Sequence, residues 1–154
     1  TDLNAAAYTA GDVIFAKHEL KNAVSSRGGC SLLHSVTMFV EGANVNDNLT
    51  ILVFDNSTAL GEPAADPGSD ITADEFRAAS CIGKFELDGG VNTISVGNGL
   101  LYSNNDEDAR SGPILVKAED NSTSIWVACI QHGDHLDLTD TDSITCTFGF
   151  QYLG

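Results

Sequence analysis

The sequence predicts an all-β fold, an antiparallel β-sandwich or barrel with one short helix at about residues 72–79. Three observations lead there. Apolar residues recur with period two, the spacing that gives a strand one buried face. Clusters of Gly, Asn, Asp and Pro separate these runs, as in Gly28-Gly29, Asn44–Asn48, Glu62–Asp70, Asp88-Gly89-Gly90 and Asp120-Asn121, and supply the bent or positive-φ geometry of tight connections. The recurring helical segments of a βαβ architecture are absent.

Taken in order, Asn4–Ala10 is small and apolar, an arm or an early edge strand. Asp12–Leu20 sets Ile14 and Ala16 opposite Val13 and Phe15. Ser31–Val40 aligns Leu32, Val36, Met38 and Val40, with His34 on the same side. Leu49–Asp55 is apolar at both parities, so both its faces are expected to be covered. Thr72 followed by Glu75 makes a capping box, Asp74 and Glu75 favour the positive end of a helix, and Ile71 and Phe76 sit at the spacing of a hydrophobic staple. Cys81–Leu87 aligns Cys81, Phe85 and Leu87, and Asn92–Val96 is a weaker strand. Pro113–Glu119 and Ser124–Gln131 follow, the latter placing Trp126 in line with Ala128 and Ile130 as a core residue. Ser143–Leu153 alternates most strictly, with Ile144, Cys146, Phe148, Phe150 and Tyr152 on one face.

The chain's 154 residues suit one domain, residues 11–154, preceded by an arm or edge segment at 1–10. Its 22 acidic against 7 basic side chains give a net charge of −15. That balance excludes the simplest nucleic-acid reading, which needs clustered Lys and Arg, and disfavours anionic membrane. No segment approaches the ~18 apolar residues of a spanning helix. The start, Thr1–Tyr8, has neither the basic opening nor the apolar centre of a signal peptide. The four cysteines, Cys30, Cys81, Cys129 and Cys146, form no CxxC pair and are expected to be reduced, mostly buried thiols.

Little in the chain points to catalysis or a cofactor. His132, Asp134 and His135, followed by Asp137, Asp140 and Asp142, are the densest set of metal-ligand types. The same residues also make an ordinary polar connection between two strands, and that is the expectation. Asn104–Asp108 lacks the spacing of a calcium loop and is expected to be a solvated acidic turn. There is no G-x-S-x-G and no phosphate-cradling glycine loop before a helix. A non-enzymatic protein without metal or cofactor is therefore expected.

The order of several segments resembles a known family. Tyr8-Thr9-Ala10-Gly11-Asp12-Val13-Ile14 comes first, then Leu33–Thr37 and Leu52-Val53-Phe54-Asp55. The short helix leads to Ile82-Gly83-Lys84-Phe85, and Ser122–Val127 and Leu136-Asp137-Leu138 precede the last strand. This resembles the capsid decoration (cement) proteins of tailed bacteriophages. The resemblance implies a jelly-roll type of sandwich, made in the host cytoplasm and bound to the virion's capsid exterior, commonly as a trimer. Its implied partner is the major capsid protein, which it reinforces by bridging subunits, and it implies no catalytic residues. The acidic His132–Asp142 segment and the aromatic Phe148–Leu153 strand depart from the family pattern and point to a different lattice neighbour or self-association mode. Leu3 and Tyr8, the large apolar groups of Thr1–Ala10, are the candidates for capsid or subunit contact. Two other classes remain open: a host-surface glycan-binding module, and a metal-dependent hydrolase built on His132, Asp134 and His135.

Overall fold

The computed structural model describes residues 6–8, 10–43, 47–60, 71–91, 93–104, 112–132, 136–138 and 142–153. Its strands are β1 (Ala6–Tyr8), β2 (Val13–Leu20), β3 (Cys30–Glu41), β4 (Leu49–Phe54), β5 (Cys81–Leu87) and β6 (Thr93–Val96). They continue with β7 (Gly99–Ser103), β8 (Ile114–Lys117), β9 (Ile125–Gln131), β10 (Leu136–Leu138) and β11 (Ile144–Leu153), and α1 (Ala73–Ala78) lies between β4 and β5. The protein is all-β, and every strand pairing is antiparallel.

Two principal sheets contribute to one core. The four-stranded sheet has the order β2-β9-β4-β5. In the other, β3 is central: β11 runs along one side, while β7, flanked by β6, and β8 lie end to end along the other. Three pairs therefore nest within one another along the chain: β2 with β9, β3 with β7 and β8, and β4 with β5. The shared core takes Leu33, Val36, Met38, Val40 and Tyr102 from one sheet and Ile51, Val53, Phe85, Val127 and Cys129 from the other. A ribbon of β1 and β10 adds Tyr8, Leu136 and Leu138 to the same core.

Strand β4 is buried at all six positions, so both its faces are covered, as its composition predicts. Leu49, Ile51 and Val53 face the shared core. Leu52 and Phe54 join Leu60, Ala79 and Ala128 in a second cluster, against which Ile71 and Trp126 pack. The segment containing α1 thus roofs the outer face of the four-stranded sheet. The Thr72–Glu75 capping box forms as predicted, with the Glu75 N–H donating to Thr72 Oγ1 at 3.2 Å and the Thr72 N–H donating to Glu75 Oε2 at 2.9 Å. Ile71 turns into the second cluster, whereas Phe76 stays exposed.

Two strands depart from strict alternation. In β3 the pairing with β11 shifts between Gly149 and Phe150, so that Ser35 and Leu33 are opposed by consecutive residues. His34 sits in the resulting bulge and is exposed, while Leu33, and not Leu32, takes the buried place. Strand β2 carries two register shifts against β9, and Val13, Ile14 and Phe15 are consecutively buried. Where the ladder slips by one residue, the inward parity changes with it.

Asn104 bridges the break between β7 and β8. Its N–H donates to the Val36 carbonyl at 3.2 Å, its Oδ1 accepts the Val36 N–H at 2.6 Å, and its Nδ2 donates to the His34 carbonyl at 3.3 Å. One asparagine thereby continues the ladder of β3 where the chain leaves it after β7. Farther along, Gly83 of β5 leaves a hollow for Ile114 of β8: a Cβ there would stand 2.7 Å from Ile114 Cδ1. All four cysteines are free thiols, with Cys129 buried and the other three half-buried.

Candidate interaction face

Among the described residues, strands β2 and β11 are the end strands of their sheets, and a groove of about 330 Å³ opens between them. Phe15, Leu20, Val127, Ile144 and Phe148 form much of its wall, with His18 and Glu19 at its polar side. Burial pushes the Cys146 thiol in the same wall up to about 12, and burial also raises the Cys129 thiol well above the ordinary range. These thiols are neutral packing groups at ordinary pH.

The two strands treat their open edges differently. Strand β2 has two register shifts and exposes His18 and Glu19, devices that discourage edge-to-edge pairing. The ten-residue β11, Ile-Thr-Cys-Thr-Phe-Gly-Phe-Gln-Tyr-Leu, contains no charged residue and no proline. Its Ile144, Cys146, Phe148 and Phe150 point toward the core as the alternation predicts but are only half-buried. Tyr152, paired with buried Ser31, keeps the same parity at the end of the strand but is 53% exposed, and its hydroxyl donates to the Asn22 carbonyl at 2.9 Å.

At the opposite margin of that sheet, register places Phe39, Leu101 and Ile94 in one row across β3, β7 and β6. Ile94 is 63% exposed at the sheet's edge, and β6 itself is uncharged. The β11 and β6 edges of the five-stranded sheet therefore present apolar, neutral surface on a molecule of net charge −15.

A separate polar constellation surrounds Lys17 on β2. Its Nζ donates to the Ala79 carbonyl at 2.8 Å, the Asn56 carbonyl at 3.1 Å and Asn56 Oδ1 at 3.3 Å, and lies 4.0 Å from the centre of the Phe54 ring. The Ala79 carbonyl lies at the C-cap of α1, where the helix dipole favours a cation. Burial pulls the Lys17 pKa from the ordinary 10.5 down to about 8, against the opposing fields of Asp55 and Cys81. Asn56 is itself held at both ends of its amide: Oδ1 accepts the Thr58 N–H at 3.0 Å and Nδ2 donates to the Ala78 carbonyl at 3.4 Å.

The residues singled out in the sequence are scattered with respect to these features. Tyr8 is 4% exposed and packs in the core through the β1–β10 ribbon, whereas Leu3 lies outside the described residues. His132 is exposed and its N–H donates to the Asn48 carbonyl at 2.8 Å; Asp134 and His135 lie outside the described residues. Among the described residues, no three His, Cys, Asp or Glu side chains are grouped to hold a metal ion. Nor is any described helix long and apolar enough to cross a membrane. The Lys17 constellation was missed by sequence reasoning. Its only trace is an isolated lysine in the apolar run of β2, because Asn56 and Ala79 come from distant parts of the chain. No family model, curated protein or solved structure matches the chain.

Proposed function

We propose that this protein is a non-enzymatic virion structural protein that binds the outside of a tailed-bacteriophage capsid and reinforces the shell by bridging capsid subunits. The observation that carries this reading is the open, uncharged edge of β11 beside its apolar groove. An unprotected edge of that length is a template for pairing with another chain, and a protein that leaves one uncovered risks aggregation. Here the acidic surface keeps the free protein soluble, while the neutral edge is reserved for docking.

The nesting of β2/β9, β3/β7–β8 and β4/β5 supports a jelly-roll reading of the fold. A folded-over ribbon whose successive pairs alternate between two sheets has this order, with β6 and β11 added at the margins of one sheet. On this reading the major capsid protein is the partner, self-association into a homo-oligomer, favoured as a trimer, accompanies docking, and neither nucleic acid nor membrane takes part. Binding to the assembled lattice converts docking free energy into shell stability by mass action, and several copies bridging neighbours gain from effective concentration.

Purified heads of the phage encoding the protein, sedimented with and without it, test the proposal. Saturable cosedimentation and greater thermal or osmotic resistance of decorated heads are expected. A Thr147→Lys variant, which puts a charge on the exposed face of β11, should unfold at the wild-type temperature yet lose cosedimentation. Heads that neither bind the protein nor gain resistance from it overturn the proposal.

A further inference from the structure

The Lys17 constellation has the parts of a covalent cross-linking site. An amine and a carboxamide, 39 residues apart in sequence, meet at 3.3 Å over an aromatic ring. As an ammonium, Nζ directs its three protons at the Ala79 carbonyl, the Asn56 carbonyl and Asn56 Oδ1. Once one proton is lost, two N–H groups suffice for the two backbone carbonyls, and the lone pair is left facing the Asn56 side-chain amide. Partial burial lowers the cost of that loss, with the pKa near 8 and not 10.5.

The amide is also prepared for attack. The Thr58 N–H already polarises Oδ1 and is placed to stabilise the negative charge that develops there. Nδ2, the prospective leaving group, is held by the Ala78 carbonyl. Holding both reactants together supplies the effective concentration that an amide otherwise lacks. We propose that Lys17 and Asn56 form an intramolecular isopeptide bond that fastens β2 to the segment following β4.

In the reaction the Nζ lone pair adds to Asn56 Cγ, forming the C–N bond while the carbonyl π pair moves onto Oδ1. Collapse restores the carbonyl and breaks the Cγ–Nδ2 bond, whose electron pair leaves on nitrogen. One proton passes from Nζ to Nδ2, directly or through solvent, so that the nitrogen leaves as ammonia and takes up the proton first lost from the ammonium. Lysine ammonium and asparagine amide become a secondary amide and an ammonium ion. Nothing is oxidised or reduced, and no co-reactant is needed.

This inference stands independently of the capsid reading and is tested by intact-mass and peptide mass spectrometry on the full chain, incubated folded at pH 9. The expected result is a loss of about 17 Da, one ammonia, with a branched peptide joining the segments that contain Lys17 and Asn56. Lys17→Arg and Asn56→Ala should each restore the full mass. Full mass in the folded wild type overturns the proposal. So does an ammonia loss confined to one linear peptide, the mark of a succinimide, or a loss that persists in Lys17→Arg. Should a variant fail to fold, the wild-type peptide map decides alone.

Discussion

Replacing Asn104 by Ala removes the side chain that carries the β3 ladder across the break between β7 and β8. Two hydrogen bonds go: the 2.6 Å bond from the Val36 N–H and the 3.3 Å bond to the His34 carbonyl. The backbone bond from the Asn104 N–H to the Val36 carbonyl survives, since it needs no side chain. The Val36 amide is in the buried interior, so its N–H is left without a partner at a cost of about 1–3 kcal/mol, and the half-exposed His34 carbonyl regains water for less. A total loss of about 2–3 kcal/mol follows, or roughly 5–10 °C in melting temperature for a chain of this size. Thermal and urea unfolding by circular dichroism measure the total, and amide hydrogen exchange at Val36 locates it. Asn98→Ala, which loses an exposed bond to Glu41, is the control and should stay within about 0.5 kcal/mol of wild type. An Asn104→Ala protein of wild-type stability, or one with unchanged protection at Val36, refutes the splice.

Three other outcomes follow from the structure. Gly83→Val should cost about 1–3 kcal/mol in urea unfolding, because even a Cβ meets three carbons of the Ile114 side chain within 3.0 Å, and pairing with Ile114→Ala should recover part of the loss. Hydrogen bonds from the Thr72 side chain and backbone hold the Glu75 carboxylate below its ordinary pKa of 4.5. Its contribution is therefore full above the unfolded-state pKa and disappears as pH falls through the lower folded value; a carboxyl NMR titration of Glu75 should show that depression, and Thr72→Ala should reduce it while the bond from the residue 72 N–H remains. A maleimide titration of the native protein should modify half-buried Cys30 and Cys81 before Cys146, whose thiol is pushed up to about 12, and modify Cys129 only on unfolding.

Much of this fold was legible in the chain because its signals are local. The Thr72–Glu75 capping box needs only four consecutive residues, and α1 begins where it predicts. The two-sided apolar character of Leu49–Phe54 announced a strand covered on both faces, and β4 is that strand. The alternation of Ile144, Cys146, Phe148 and Phe150 likewise gave their common orientation. Periodicity misleads where a slip in pairing changes parity. A bulge in β3 cannot be seen without β11 beside it, so the alternation points to Leu32 where Leu33 is buried and aligns His34 with the apolar face although it sits in the bulge.

The sequence alone determined the class of fold, the helix and its cap, and the net charge of −15, since these depend on residue type and near-neighbour spacing. It also marked β11 as uncharged. Only the tertiary structure decided that β11 is an edge, that a groove separates it from β2, and that Lys17 meets Asn56 and Ala79 over Phe54. The reason is the same in each case. An edge is defined by the strand that is missing beside it, and a cluster by segments that loop closure brings together from tens of residues apart. Neither leaves a periodic trace in the chain that forms it.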